Sequence, residues 1–503
     1  MLSSLRRAVS VRRVAHPHAR RLSTYPAVAK PSVYGQPVPD SHPHLFQHND
    51  ELTPGIPASD YEQRRKKLMD SLPDNSIVVA VSAPIKYMSA NIFYKYRQNS
   101  DFWYLTGFEE PDSAVILEKS PSTSQGYTMT LFSTGKDSSK EKWDGARTNP
   151  SLFPTIFRAT HSLPITSFSS HFRSILPKYS NVYIDLPNPT HPSSTKRTSQ
   201  KSLLKFLTLP ARAEYESVLD TLSTSKRKPL APELARLRAI KSPAEQCVMR
   251  QAADISARAH AKTMRFTRPG LPESALAAHF EYLCALEGAQ RPAYVPVVAS
   301  GANALIIHYT SNNHIIRPDE MLLIDAGCEF NGYASDITRT YPSTGTFSPA
   351  QRDLYSAILS AQKSLIKLCV PSSHHSLLSL HRESCSLLRQ ELNQIGFNLG
   401  REGDLERVLY PHFLSHPIGI DLHESAGIDR GADIKPGMVI TIEPGIYVPP
   451  TPNFPTHFHN IGIRIEDEVL ITESEPIILS VSAPKEIVDV EGACQGLLGL
   501  EPY

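Results

Sequence analysis

The pattern of apolar and polar positions changes period several times along the chain, and each change marks an element. Between Tyr61 and Leu72 apolar and charged residues recur at helical spacing until Pro73 stops them. Four short runs of strand-forming residues follow, at 76–81, 114–118, 127–132 and 181–184, with helical segments between them. That alternation predicts a small α/β domain. The texture then shifts. Positions 187 to about 228 are rich in Ser, Thr, Pro and Lys, so the domain junction is placed near their end. Beyond Leu234 the periods lengthen into helices at 243–265 and 272–287. Apolar strand runs come next (295–299, 321–325, 438–443, 461–466 and 468–471), broken by helical patterns around 349–370 and 376–395. The span 233–482 is long enough to bury one large core. Each half of it offers a strand pair carrying two acids, a coarse two-fold echo.

Composition sharpens this division. The chain has 503 residues with 40% hydrophobic and 20% charged, ordinary for two globular domains and incompatible with a wholly disordered or fibrous chain. No apolar run approaches the ~18 residues of a membrane-crossing helix. The six cysteines form no CxxC pair, which fits a reducing compartment. The net charge of +2 hides an asymmetry. Seven cations (Arg6, Arg7, Arg12, Arg13, Arg20, Arg21 and Lys30) precede the first acid, Asp40, leaving 45 basic against 50 acidic groups elsewhere. A mildly acidic body gives no case for nucleic acid. An Arg- and Ser-bearing, acid-free terminus has the composition of a mitochondrial presequence, here assigned to residues 1–24. Within it, Arg20 to Thr24 fits cleavage after Arg21, then removal of Leu22 to expose Ser23. Residues 25–58, Pro- and His-rich without periodicity, read as an extended linker; 59–228 as the first domain; and 483–503 as a tail.

The acids carry the candidate chemistry. Asp325 ends the apolar run LLIDAG, and Asp336 follows eleven residues later in ASDITRT. A hairpin turning at Asn331-Gly332 brings the two together. Glu443 ends the run VITIE, and Glu466 interrupts GIRIED. A single acid at a strand end is usually a solvated cap. Four in core-facing segments repel, at about 4 kcal/mol per ~4 Å pair with an effective dielectric near 20, and few cations accompany them besides Arg339 and Arg464. Two divalent ions would cancel their four charges. Histidines stand nearby in sequence: His412, His416 and His423 in HFLSHPIGIDLHE, and His308 in IIHYT. HExxH is absent, so a zincin site is excluded. A carboxylate-rich set suits hard ions, manganese above zinc.

The run HYTSNNHIIRPDEMLLIDAGCEFNGYASDITRTYP, with SHPIGIDLHE, ITIEPGIYV and GIRIEDEVLIT, resembles the aminopeptidase P branch of the pita-bread metallopeptidases. YRQNSDFWYLTGFEEPDSAVIL is similar to that branch's non-catalytic N-terminal domain, and AIKSPAEQCVMRQAADIS to the opening of its catalytic domain. The resemblance spans most of residues 60–482. It implies an α/β (α+β) pita-bread catalytic domain behind a smaller α/β domain, and a dinuclear metalloaminopeptidase. Carried across position by position, it implies five metal ligands, Asp325, Asp336, His416, Glu443 and Glu466, with Asp336 and Glu466 bridging. His308 and His423 match substrate-contacting histidines, Glu443 doubles as the proton carrier, and His412 and Arg464 match supporting positions. Dimers are common in the family, and Trp103 and Arg147 are candidates either for a neighbour's active site or for core and surface.

Within the branch two activities compete. One requires proline as the second residue. The other trims a single bulky residue (Leu, Tyr or Phe) from imported mitochondrial proteins after presequence removal, which stabilises them. The presequence-like terminus, a short segment at 425–435 without tyrosine, and the loop at 449–459 favour the second. A non-catalytic binding module of the same fold is the reading from another class; the complete ligand set argues against it.

Overall fold

The computed structural model describes residues 28–184, 226–400, 403–425 and 427–502; the presequence reading therefore lies outside the described residues. Six strands, β1 (Ser76–Val81), β2 (Ala114–Lys119), β3 (Tyr127–Ser133), β4 (His161–Pro164), β5 (Asn181–Ile184) and β6 (Arg227–Pro229), form one mixed sheet in the order β6-β5-β1-β2-β3-β4. Strict alternation sets its two faces. Ile77, Val79, Ala114 and Ile116 point to one side, against Phe168, Phe172 and Ile175. Val78, Ala80, Val115 and Leu117 point to the other, against α1 (Ala58–Ser71), α2 (Ser100–Thr106) and residues of the second domain.

That second face is where the domains join. Arg64 of α1 donates to the Tyr333 hydroxyl at 3.0 Å and pairs with Glu245 at 3.2 Å, all buried. Trp103 of α2 is wedged between Tyr61 and Tyr333, and a Cβ on Gly332 would come within 2.6 Å of its indole. Trp103 thus belongs to the interdomain core and has no freedom to reach a neighbouring molecule.

The larger domain opens with α3 (Ala231–Arg238), α4 (Pro243–Phe266) and α5 (Glu273–Leu286), followed by β7 (Val297–Ser300) and β8 (Met321–Asp325). α4 starts where Ser242 and Glu245 close a capping box and Pro243 fills the first helical position. The chain then runs through β9 (Cys328–Phe330), β10 (Tyr333–Ala334), β11 (Thr338–Pro342), α6 (Pro349–Lys367) and α7 (Leu377–Gln394). It finishes with β12 (Val439–Ile442), β13 (Gly445–Val448), β14 (Ile461–Arg464) and β15 (Asp467–Leu470).

The two-fold echo takes physical form as two antiparallel ribbons, each changing sheets partway along. In the first, β8 pairs with β11, ending at Asp325↔Thr338, and β9 pairs with β10 in a different sheet. Asn331 and Gly332, at φ 49° and 83°, make the expected tight turn. In the second, β12 pairs with β15, ending at Ile442↔Asp467, and β13 pairs with β14, starting at Gly445↔Arg464. Asp325, Asp336, Glu443 and Glu466 all sit at these crossings. The first crossing demands glycine: a Cβ on Gly327 would lie 1.8 Å from the Ser335 carbonyl oxygen. Glu466 N–H donates to Thr338 O at 3.1 Å and binds the two ribbons together.

Two expectations need correction. Residues 28–57 are not a free linker. Gln36 donates to Gly107 O and accepts from the Glu109 N–H, Glu51 accepts from three backbone N–H groups, and Val38, Leu52 and Ile56 are buried. Anchors placed singly leave no period to detect. Likewise 483–503 contains a helix, α8 (Ile487–Gln495), whose Val490 and Ala493 enter the main core of the large domain. Their three-residue spacing is the amphipathic signal that the reading as a tail overlooked.

Candidate active site

The ribbon crossings bring the predicted acids into one buried cluster. One donor atom each from Asp336, His416 and Glu466 lies within 4.8 Å of the others. His416 Nε2 is 3.3 Å from Asp336 Oδ2 and 3.7 Å from Glu443 Oε1. Its Nδ1–H donates to the Pro417 carbonyl at 3.0 Å, which turns Nε2 toward the acids. Asp325 accepts from Arg464 Nη2 at 2.6 Å, and Glu466 accepts from the Thr338 hydroxyl at 2.6 Å. Glu443 is reached by the Thr441 hydroxyl at 3.3 Å.

Protonation equilibria show how short of positive charge this cluster is. Burial, and then repulsion from Asp336, lift Asp325 to about 6 despite Arg464. Glu443 is pushed up to about 7, chiefly by burial, and Glu466 well above the carboxylate range by burial and its three acidic neighbours. At His416, burial works against the imidazolium. The Asp336 hydrogen bond and the Glu443 charge overcome it and raise the group to about 9; Asp336 is lowered in return. Four carboxylates cannot all ionise here unless cations join them. An oxygen-rich set with one inward imidazole fits divalent metal ions, and the orphaned charge fits a pair of them.

The supporting residues form a chain that fixes one end of the site. His412 donates from Nδ1 to Phe413 O at 3.0 Å, and its Nε2 accepts from the Tyr447 hydroxyl at 3.0 Å. Tyr447 in turn accepts from Arg464 Nη1 at 2.7 Å. Burial and Arg464 hold His412 down near 3, so it stays neutral, as this chain of donors requires. His423 and His308 are exposed at the edge of the cluster. The His423 ring lies 4.4 Å from that of His416, and His308 is near enough to act on both His412 and His423. All nine predicted residues are therefore brought to one region. Sequence reasoning missed Tyr294. Its hydroxyl donates to the carboxylates of Asp325 and, at 2.6 Å, Asp336. Its only sequence signal is its place just ahead of an apolar strand.

Residues 247–473 match the family model Metallopeptidase family M24, and residues 61–183 match Aminopeptidase P, N-terminal domain. Intermediate cleaving peptidase 55 of Saccharomyces cerevisiae is 38% identical over 463 residues, covering 92% of this chain and 88% of that protein. The chain belongs to metallopeptidase family M24. Within that family it carries the aminopeptidase P architecture and is a metal-dependent aminopeptidase. Xaa-Pro aminopeptidase 3 of Rattus norvegicus is 35% identical over 495 residues, with 94% of each chain covered. A crystal structure of Icp55 from Saccharomyces cerevisiae superposes with a TM-score of 0.78 at 36% identity, covering 89% of this chain and 99% of that one. M24 enzymes use divalent metals, in keeping with the charge shortage at the ribbon crossings.

Proposed function

We propose that this mitochondrial M24 aminopeptidase removes one bulky N-terminal residue, Leu, Tyr or Phe, from imported proteins whose presequences have just been cut. The supporting observation is the likeness, over 92% of the chain, to a protein named as an intermediate cleaving peptidase, joined to a buried acid cluster at the ribbon crossings. The arginine-rich, acid-free start and the short, tyrosine-free segment at 425–435 point the same way.

Asp325, Asp336, His416, Glu443 and Glu466 would hold the metals, manganese being favoured by the four carboxylates and single imidazole. When bound, a divalent pair supplies Lewis acidity, acidifying a water and polarising a peptide carbonyl. Glu443, ionised once cations join the cluster, would take the proton of the attacking water and deliver it to the departing nitrogen. His308 and His423, exposed at the edge of the acid cluster, would hydrogen-bond the carbonyl and adjoining amide as charge develops. Arg464, fixed by Tyr447 and Thr338, holds the Asp325 carboxylate in place.

The test is a comparison of purified enzyme, supplied with manganese, on peptides beginning Leu-Ser or Tyr-Ala against Xaa-Pro peptides. Release of the bulky residue should be faster by at least tenfold. Cleavage confined to Xaa-Pro peptides would transfer the protein to the proline-requiring activity, the reading that the rat relative supports.

A further inference from the structure

Backbone hydrogen bonds hold the start of the segment joining His416 to His423, with Thr441 N–H donating to His416 O, Ile418 N–H to Val439 O and Ala334 N–H to Gly419 O, but residues 420–423 beyond it pair with no strand. The His423 ring is exposed, and it has no hydrogen bond to any described residue. Its position comes from its flanking residues: Leu422 packs against the apolar core between the domains, and the polar contacts are made by Asp421 and Glu424. Both are held from outside the segment. Arg238, at the end of α3 and only 6% exposed, binds Glu424 through Nε and Nη2 at 2.7 and 2.8 Å, and Asp421 through Nη2 at 2.6 Å. The other grip comes from the smaller domain. Arg97 donates to Ile420 O at 2.7 Å and to Asp421 at 3.4 Å, and its Nε binds Glu329 of β9 at 2.5 Å. Ser100 donates to Asp421 Oδ1 at 2.5 Å, and Asp101 holds Arg238 Nη1 at 2.5 Å. Arg291 of the catalytic domain answers by donating to Tyr96 O at 2.7 Å.

From this geometry we infer that Arg97 and Ser100 of the N-terminal domain are positioning residues for catalysis, fixing His423 through Asp421. The domain otherwise described as non-catalytic then supplies part of the active site's rigidity. Arg97 is suited to the task because its planar guanidinium, besides donating to Ser100 Oγ at 3.1 Å, reaches three acceptors on two elements of the other domain: the first ribbon's outer hairpin and the histidine segment. A lysine offers a single ammonium and cannot span them. Gly419 shows how tightly the segment is packed, since a Cβ there would meet the Glu424 carboxylate at 2.9 Å and Lys241 at 3.1 Å.

The inference rests on the assignment of His423 to the substrate, and a double-mutant cycle tests it in the full-length, manganese-loaded enzyme. Activity is measured on whichever peptide class the wild type cleaves, so a change in the specificity reading leaves this test intact. Arg97→Met and Asp421→Asn should each lower kcat at least tenfold, with KM and bound manganese within about twofold of wild type. Arg97→Lys should fall between. In a His423→Ala background, Arg97→Met should cost no further activity, because its effect passes through the missing ring. Ser100→Ala, which removes one hydroxyl, serves as the second variant if Arg97→Met does not fold, and should lower kcat severalfold under the same conditions. An unchanged kcat in folded variants, or an equal loss with and without His423, would overturn the inference.

Discussion

Replacing Tyr294 with phenylalanine isolates a single hydroxyl group. The ring volume stays, so no cavity opens. What disappears is the hydroxyl that lies between the Asp325 and Asp336 carboxylates, 2.6 Å from the latter. One proton serves two acceptors, and both are acids assigned to the metals. A hydrogen bond to a charged group contributes roughly 1.5–3 kcal/mol. Part of that loss is masked in the metal-free protein, where Asp325 holds its own proton up to about pH 6 because of burial and Asp336. Metal binding demands both carboxylates ionised and aimed, and there the loss is felt fully. Removing a partner that orients a metal ligand typically weakens affinity 10- to 100-fold, or about 1.4–2.7 kcal/mol, in line with one charge-assisted hydrogen bond. Chelator-buffered manganese titrations at pH 7.5 should show that weakening for Tyr294→Phe, with kcat at saturating manganese within a few-fold of wild type. An affinity within twofold of wild type would refute the argument. A kcat still depressed more than tenfold with manganese fully bound would also refute it, and would move the hydroxyl into the chemistry itself.

Glu443→Ala should abolish turnover, whereas His423→Ala should lower the rate and leave the manganese content intact; metal analysis alongside peptide assays separates them, and loss of manganese from the histidine variant would place His423 among the ligands. A second outcome concerns pH. In metal-free protein Asp325, Glu443 and Glu466 have raised pKa values, so the folded state keeps protons that the unfolded state releases above about pH 4, and stability falls as pH rises through 6 to 7 and beyond. His416, raised to about 9, adds stability below its ordinary value and loses it toward pH 9, in the same direction. Asp336, lowered, acts oppositely but only at acid pH. Manganese replaces those protons, so the rise in Tm on adding it should be larger at pH 8 than at pH 6; an equal or smaller rise at pH 8 would contradict the charge-shortage account.

Much of this was readable from the chain because the relevant signals are local. Strand β1 is found at the predicted 76–81, the strand run at 321–325 is β8, and the Asn331-Gly332 turn forms where the hairpin was expected, both residues at positive φ. Acids ending apolar runs were anomalous in place, which is why Asp325 and Glu443 stood out. What escaped was whatever depends on a partner far away in sequence. Tyr294 looks like any aromatic beside a strand until the ribbons fold and set two carboxylates against its hydroxyl. The residues 28–57 and α8 are held by scattered anchors and by one short apolar stripe, too little pattern to outweigh their proline content or their terminal position.

The same contrast explains how two domains produce one site. Each ribbon sets its own pair of acids by its backbone register, and the bonds from Thr338 to Glu466 bring the two pairs together within one domain. The exposed histidines have no such register. His423 depends on a network in which Arg97, Ser100 and Asp101 come from one domain, Arg238 from the junction, and Asp421 and Glu424 from the other. A shared apolar layer, in which Val78 and Leu117 join Tyr333, Ile418 and Val439, holds those groups in reach of one another. Loosening that layer should therefore impair the part of the reaction that depends on the histidines before it impairs metal binding, because the acids rest on ribbon registers and a ribbon-to-ribbon hydrogen bond within one domain, whereas Asp421 is held by groups from both domains.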